Sequence, residues 1–221
     1  GEAVRDYIDP AWLPVLRGLG LVSFDALWAL QADWFEPPNQ RRGGWSGVMR
    51  IELPGPDGAP QGLFLKRQDN HTRRTLRHPL RGEPTFSAEM RNILALRAAQ
   101  VPTLEPVYYA QRKADGSWRA MLMTRELVGF KPLDQWVRGW QDGGWGEARE
   151  LRRRVIAHCA PLIRRMHLAG HVHNALHPKH VFVAIDAQGQ VEMRLIDLEK
   201  MRRRHSAARA ALRDLDSLNR R

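Results

Sequence analysis

The sequence predicts an α+β fold in two parts. A small N-terminal antiparallel sheet with one key helix comes first, and a larger, mainly helical C-terminal part follows. Three observations predict it. Leu63–Lys66 is a short apolar strand ending in a lysine, and Phe86, Met90, Ile93, Leu94 and Leu96 mark a broad apolar helix face soon after it. Leu151, Val155, Ile156, Cys159, Leu162, Ile163 and Met166 form an apolar stripe at helical spacing along a long helix, Gly146 to Ala169. Two apolar strands, Val181–Ile185 and Val191–Ile196, flank the turn Asp186–Gly189 and predict a hairpin. The parts are expected to divide into 1–127 and 128–221.

From the N-terminus, residues Asp9 to Asp33 predict two short helices, the first stopped at Gly20 and the second capped by Ser23, within a helical cap over 1–38. Pro37 to Val48 is a turn in which Gly43, Gly44 and Gly47 surround Ser46, and a strand, Val48–Leu53, follows. Glycines there let backbone N–H groups approach phosphates closely. No Lys-Ser/Thr ending and no following helix are present, so a Walker A loop is excluded. After the turn Pro54–Gln61 comes the Leu63–Lys66 strand. Asp69–Pro84 is a polar, arginine-rich loop, and the helix then begins at about Thr85. Glu89 lies in its first half, and Glu83, just before Pro84, falls outside it. Asp115–Trp118 is a hairpin turn leading into the strand Arg119–Leu127. Trp136, Trp140 and Trp145 crowd a short helix and a glycine-rich loop, where they suit sugar stacking, a membrane interface or burial against the second lobe. Arg152, Arg153 and Arg154 are assigned to a basic face of the long helix, and Cys159 to its buried stripe.

Composition narrows the function. The chain has 221 residues with 43% hydrophobic, enough for a substantial core. A single cysteine excludes an internal disulfide framework and suits a reducing cytoplasm. No apolar run approaches the roughly 18 residues of a spanning helix, and the first residues lack signal-peptide order. The net charge of +11, from 35 Lys plus Arg against 24 Asp plus Glu, favours an anionic partner and argues against cationic substrates. Nucleic acid is not expected, because no reader motif accompanies the charge.

The stretch His173–His180, HisAsnAlaLeuHisProLysHis, resembles the catalytic loop H-R-D-L-x-x-x-N of protein-kinase-like folds, and Leu195–Lys200, LeuIleAspLeuGluLys, resembles their D-F-G segment. A histidine in place of the loop asparagine, with Ile196-Asp197-Leu198 in place of D-F-G, is closest to the lipopolysaccharide kinases of the Kdo/WaaP group and their InaA-like branch. The resemblance runs from about Asn39 onward. It implies ATP and Mg²⁺ as cofactors, with Gly43, Gly44 and Ser46 at the phosphates. Lys66 would hold phosphates and Glu89 would orient Lys66. Thr124 to Leu127, Glu126 among them, would line the adenine site between the lobes. His180 and Asp197 would be metal-ligand positions, since the hairpin sets them side by side. An ATP-dependent kinase of a heptose or Kdo sugar in the lipopolysaccharide core is implied, cytoplasmic, with peripheral contact at the inner membrane. Its partner would be the core oligosaccharide, an anionic glycolipid.

One departure stands out. The general-base aspartate position reads Ala175, so His173, Asn174 and His177 become the candidates beside it. A catalytically impaired, nucleotide-binding member of the same fold is the alternative. A zinc pair of His173 and His177 is disfavoured, because Pro178 breaks the helix that their spacing would need. The chain stops soon after its Arg-Asp-Leu segment at Arg213–Leu215, so the second lobe is expected to be minimal or cut short.

Overall fold

The computed structural model describes residues 4–41, 44–71, 85–144, 146, 148–168 and 180–196. Their elements are β1 (Tyr7–Ile8), α1 (Leu13–Gly18), α2 (Phe24–Trp28), β2 (Trp34–Arg41), β3 (Gly44–Pro54), β4 (Pro60–His71), α3 (Thr85–Ala98), β5 (Pro106–Ala114), β6 (Ser117–Arg125), β7 (Lys131–Pro132), α4 (Leu133–Asp142), α5 (Arg149–Leu168), β8 (Val181–Ile185) and β9 (Val191–Leu195). The chain forms two compact units, Gly1–Arg91 with Glu105–Glu126, and Asn92–Leu104 with Leu127–Arg221.

The first unit is built on a six-stranded antiparallel sheet in the order β1-β5-β6-β4-β3-β2. Alternation along each strand sends successive side chains to opposite faces. One face carries Met49, Ile51, Leu63, Leu65, Met121 and Met123, which pack with Trp12, Leu16 and Leu27 of the α1–α2 region as a hydrophobic core. Ser23 caps α2 through an Oγ that accepts from the Ala26 N–H at 3.1 Å. Gly20, at φ +70°, lets the chain turn after α1.

Arg67 pins this cap to the sheet. It is 7% exposed and faces the cap between Leu65 and Asp69. Its Nη1 donates to Trp28 O and, at 3.3 Å, to Leu30 O. Its guanidinium lies 5.8 Å from the Trp28 ring and 5.1 Å from the Trp34 ring. Burial holds its pKa below the ordinary guanidinium value.

Several boundaries differ from those the sequence suggested. The Pro37–Val48 turn is largely strand: β2 and β3 pair from Trp34↔Met49 to Arg41↔Gly44. Pro37 and Pro38 fit because β2 is an edge strand, where no second neighbour needs their N–H, and the register shifts between Glu36 and Asn39. The helical cap therefore ends before Trp34. Lys66 is mid-strand, not strand-terminal, since β4 continues through Asp69 to His71. The polar residues beyond it stay in the sheet because each finds a partner: Arg67 the cap, Gln68 the Phe86 N–H, and Asp69 Arg119 at 3.1 Å. The 115–116 turn uses positive φ at both Asp115 and Gly116, which suits a two-residue hairpin and starts β6 at Ser117 rather than Arg119.

In the second unit, Val155, Cys159, Leu162, Ile163 and Met166 are the buried stripe of α5. Arg152 is not on the basic face: it is 1% exposed, because positions 152, 155, 159, 162 and 166 fall on one side of the helix. Arg153 and Arg154 are exposed, and Arg154 pairs with Glu150 at 3.4 Å. Trp140 is buried, and Trp136 donates from Nε1 to Val183 O at 3.0 Å with Lys131 Nζ 3.9 Å from its ring. These two tryptophans are thus engaged within the unit, and Trp145 lies outside the described residues. β7, β8 and β9 form a three-stranded sheet whose hairpin register runs from Val181↔Leu195 to Ile185↔Val191. Asp186 Oδ1 accepts from the Gln188 and Gln190 N–H groups at 2.9 and 2.8 Å, and Gly189 takes φ +77°, so the turn forms where the sequence put it.

Burial pushes the Cys159 thiol up to about 12, so it stays protonated and enclosed at neutral pH. Ellman's reagent at pH 8 is expected to leave the folded protein unmodified and to label one thiol per chain in denaturant. Fast labelling of the native protein would contradict this packing.

Candidate nucleotide-phosphate site

The face of the sheet opposite the cap carries the candidate site. On β4, alternation places Gly62, Phe64, Lys66 and Gln68 on this face. Their β3 partners are Glu52, Arg50, Val48 and Ser46, and their β6 partners from Phe64 onward are Thr124, Leu122 and Ala120. Residues directly opposite in an antiparallel pair share a face, so Ser46, Lys66 and Thr124 are brought onto one surface.

The start of α3 docks here through two successive contacts. The Phe86 N–H, otherwise an orphan donor of the first helical turn, donates to Gln68 Oε1 at 2.7 Å. One turn later, the Glu89 carboxylate accepts from Lys66 Nζ. Residues 86 and 89 lie on one side of the helix, and 66 and 68 on one side of the strand, so the two spacings mesh. The Lys66 side chain keeps 20% exposure and that of Glu89 only 6%. An ammonium has three donors, and one carboxylate contact directs the head without consuming them all. The arrangement is a fixed, partly exposed cation of the kind that phosphate oxygens seek.

The other expected residues separate in role. Thr124 is 1% exposed and pairs across the ladder with Phe64 and Pro106. Glu126 is held twice: its N–H donates to Gly62 O at 2.9 Å, and its carboxylate pairs with Arg50 at 2.5 Å. The pair lies over Gly62, where a Cβ would meet Glu126 Oε2 at 2.8 Å and Arg50 Nη2 at 2.9 Å, so a larger residue there would push this exposed ion pair aside. Gly44 has a packing reason of its own: a Cβ would meet Asp69 O at 2.6 Å. Gly43, His173, Asn174, His177 and Asp197 lie outside the described residues. His180 is described, in the second unit, where its carbonyl accepts from the Ile196 N–H at 2.9 Å. That bond extends the hairpin by one pair and sets His180 opposite the residue before Asp197.

A family model described as "Lipopolysaccharide kinase (Kdo/WaaP) family" matches residues 25–221. The chain belongs to that family. Protein InaA of Escherichia coli (strain K12) is 31% identical over 195 residues, covering 88% of this chain and 86% of InaA. The solved structure of WaaP in complex with acyl carrier protein superposes with a TM-score of 0.61 at 21% identity, over 98% of this chain and 79% of WaaP. That likeness shows a kinase-like fold.

In this Kdo/WaaP member, no group of three or more His, Cys, Asp and Glu is gathered as a metal cluster among the described residues. Of the expected magnesium pair only His180 is described, and an imidazole nitrogen suits magnesium less well than an oxygen does. Among the described residues no helix is long and apolar enough to cross a membrane. The sequence reading missed Phe35, Arg50, Phe64 and Gln68 on the site face. Stepping back by twos from Lys66 along β4 would have found Phe64. Nothing local marks Phe35, whose place depends on the irregular β2–β3 register.

Proposed function

We propose that this Kdo/WaaP member is an ATP-dependent kinase that phosphorylates a sugar hydroxyl, on heptose or Kdo, of the lipopolysaccharide core. The Lys66–Glu89 pair carries the reading: the two residue types at this place are what a phosphate-holding lysine and its orienting carboxylate require. In the transfer, the bond from the γ-phosphorus to the β,γ-bridging oxygen breaks and a bond to the sugar oxygen forms. The hydroxyl proton passes to solvent, and ADP departs with the bridging oxygen. Lys66 offsets negative charge on the phosphates, and Glu89 keeps the ammonium aimed. Asp197 and His180 are the residues proposed for magnesium, which when bound would neutralise further phosphate charge. Ala175 cannot accept the hydroxyl proton, and His173, Asn174 or His177 is proposed to orient the acceptor in its place. The +11 charge suits an anionic glycolipid acceptor, met in the cytoplasm at the inner-membrane surface.

Ala175 favours a second reading, a member that binds nucleotide with impaired transfer. The test is transfer of labelled γ-phosphate from Mg-ATP to dephosphorylated lipopolysaccharide core, with Asp197→Asn in parallel. Transfer by the parent and none by the variant is the expected result. No transfer by either, with nucleotide still bound, would establish the second reading.

A further inference from the structure

Beside Lys66 on the site face lies an aromatic pair. The Phe35 and Phe64 rings are 5.0 Å apart between centroids and tilted by 56°. Phe64 is two residues before Lys66 on β4, so it shares that face. Phe35 reaches it from β2 across the intervening β3. The register shift between Trp34 and Glu36 accompanies this placement. Trp34 stacks against Arg67 on the cap side, and Phe35 next to it goes to the site side. Phe35 is 61% exposed, a large apolar ring left open to solvent beside a held cation. A planar ligand bearing phosphates matches both features, with a ring against the phenyl groups and the phosphates toward Lys66.

A second observation concerns how such a ring would be identified. Reading the edge of a base needs hydrogen-bond partners aimed at it, and at the end of β6 two backbone donors are already committed. The Arg125 N–H donates to Glu105 O at 3.0 Å and the Glu126 N–H to Gly62 O at 2.9 Å, while the Glu126 carboxylate is tied to Arg50. Thr124, one step earlier, sits within the ladder and is 1% exposed.

Resting on the nucleotide reading above, we infer that the base of the phosphate donor is held chiefly by stacking on Phe35 over Phe64. The site therefore accepts adenine and guanine nucleotides with little distinction. Every base offers a π face, so stacking discriminates weakly where hydrogen bonds to a base edge discriminate strongly.

Calorimetry with the magnesium complexes of non-hydrolysable ATP and GTP analogues, and with inorganic tripolyphosphate, tests this on the whole chain. The two analogues are expected to bind the parent within about tenfold of each other. Phe35→Ala should weaken both by about 5- to 100-fold while leaving tripolyphosphate binding unchanged. Phe35→Trp should bind both at least as well as the parent, and Phe35→Leu should resemble Phe35→Ala. Phe35 is exposed, so these variants are expected to fold, and unchanged circular dichroism checks that. A preference beyond tenfold for either purine, or parent-like affinity in Phe35→Ala or Phe35→Leu, overturns the inference while the nucleotide site stands. A parent that binds neither analogue nor tripolyphosphate removes the nucleotide reading itself, and this inference with it.

Discussion

Lys66→Met is expected to lower phosphoryl transfer by about 100- to 1,000-fold, the loss typical of removing one preorganised charge-stabilising donor from a catalytic site. Methionine keeps most of the stem and its packing but supplies no cation. Glu89 would then hold a carboxylate at 6% exposure with its lysine gone, so the single variant should also lose stability. Breaking a buried pair from one side costs up to about 3–5 kcal/mol, and the 20% exposure of Lys66 puts this pair at the lower end or below. Adding Glu89→Gln removes the orphaned charge. The double variant should therefore regain most of the lost stability in urea unfolding and none of the lost transfer. That divergence separates a residue that binds phosphate from one that merely fills the sheet–helix contact, for which activity and stability would recover together. Transfer at the parental rate by a folded Lys66→Met protein would remove Lys66 from the mechanism.

The pair itself was legible in the sequence because it needs only local signals: an apolar strand carrying a lysine, then an amphipathic helix with a glutamate in its first half. The hairpin was equally plain, since Asp186 and Gly189 fix the turn through their own backbone and side-chain preferences. What escaped depends on partners far along the chain. β4 seemed to end at Lys66 because charged residues follow, yet Arg67 meets Trp28 across 39 positions and Asp69 meets Arg119 across 50. Arg152 looked like surface because arginine seldom is buried, and only the phase of its helix tells otherwise. Gly44 shows the opposite difficulty. Its place in a glycine-rich segment suggests a phosphate cradle, and the strand beside it also requires a missing side chain. A glycine signal in sequence does not say which neighbour needs the space.

Arg67→Ala is expected to destabilise the first unit strongly, by about 2–4 kcal/mol. Three contributions disappear together. Two carbonyls, Trp28 O and Leu30 O, lose a charged donor, and hydrogen bonds to charged groups contribute about 1.5–3 kcal/mol each. The Trp34 ring loses its cation and the Trp28 ring keeps only Arg119, a further contribution of about 0.5–2 kcal/mol that does not add fully to the first. The long side chain also leaves a void between the sheet and the cap. Arg67→Lys restores charge but not the planar fork, so it should recover less than half of the loss. Arg67 points away from the face that carries Lys66, so both variants, where still folded, should transfer phosphate at a kcat close to the parental value. Urea midpoints measure the first effect and saturating-substrate rates the second. The loss should also be local: amide exchange at Leu16 and Leu27, whose side chains share the core under the cap, should accelerate before exchange in β4 and β6 does. Uniform acceleration across the sheet would mean that cap and sheet unfold as one unit, with Arg67 a core residue of the whole rather than the fastening of the cap.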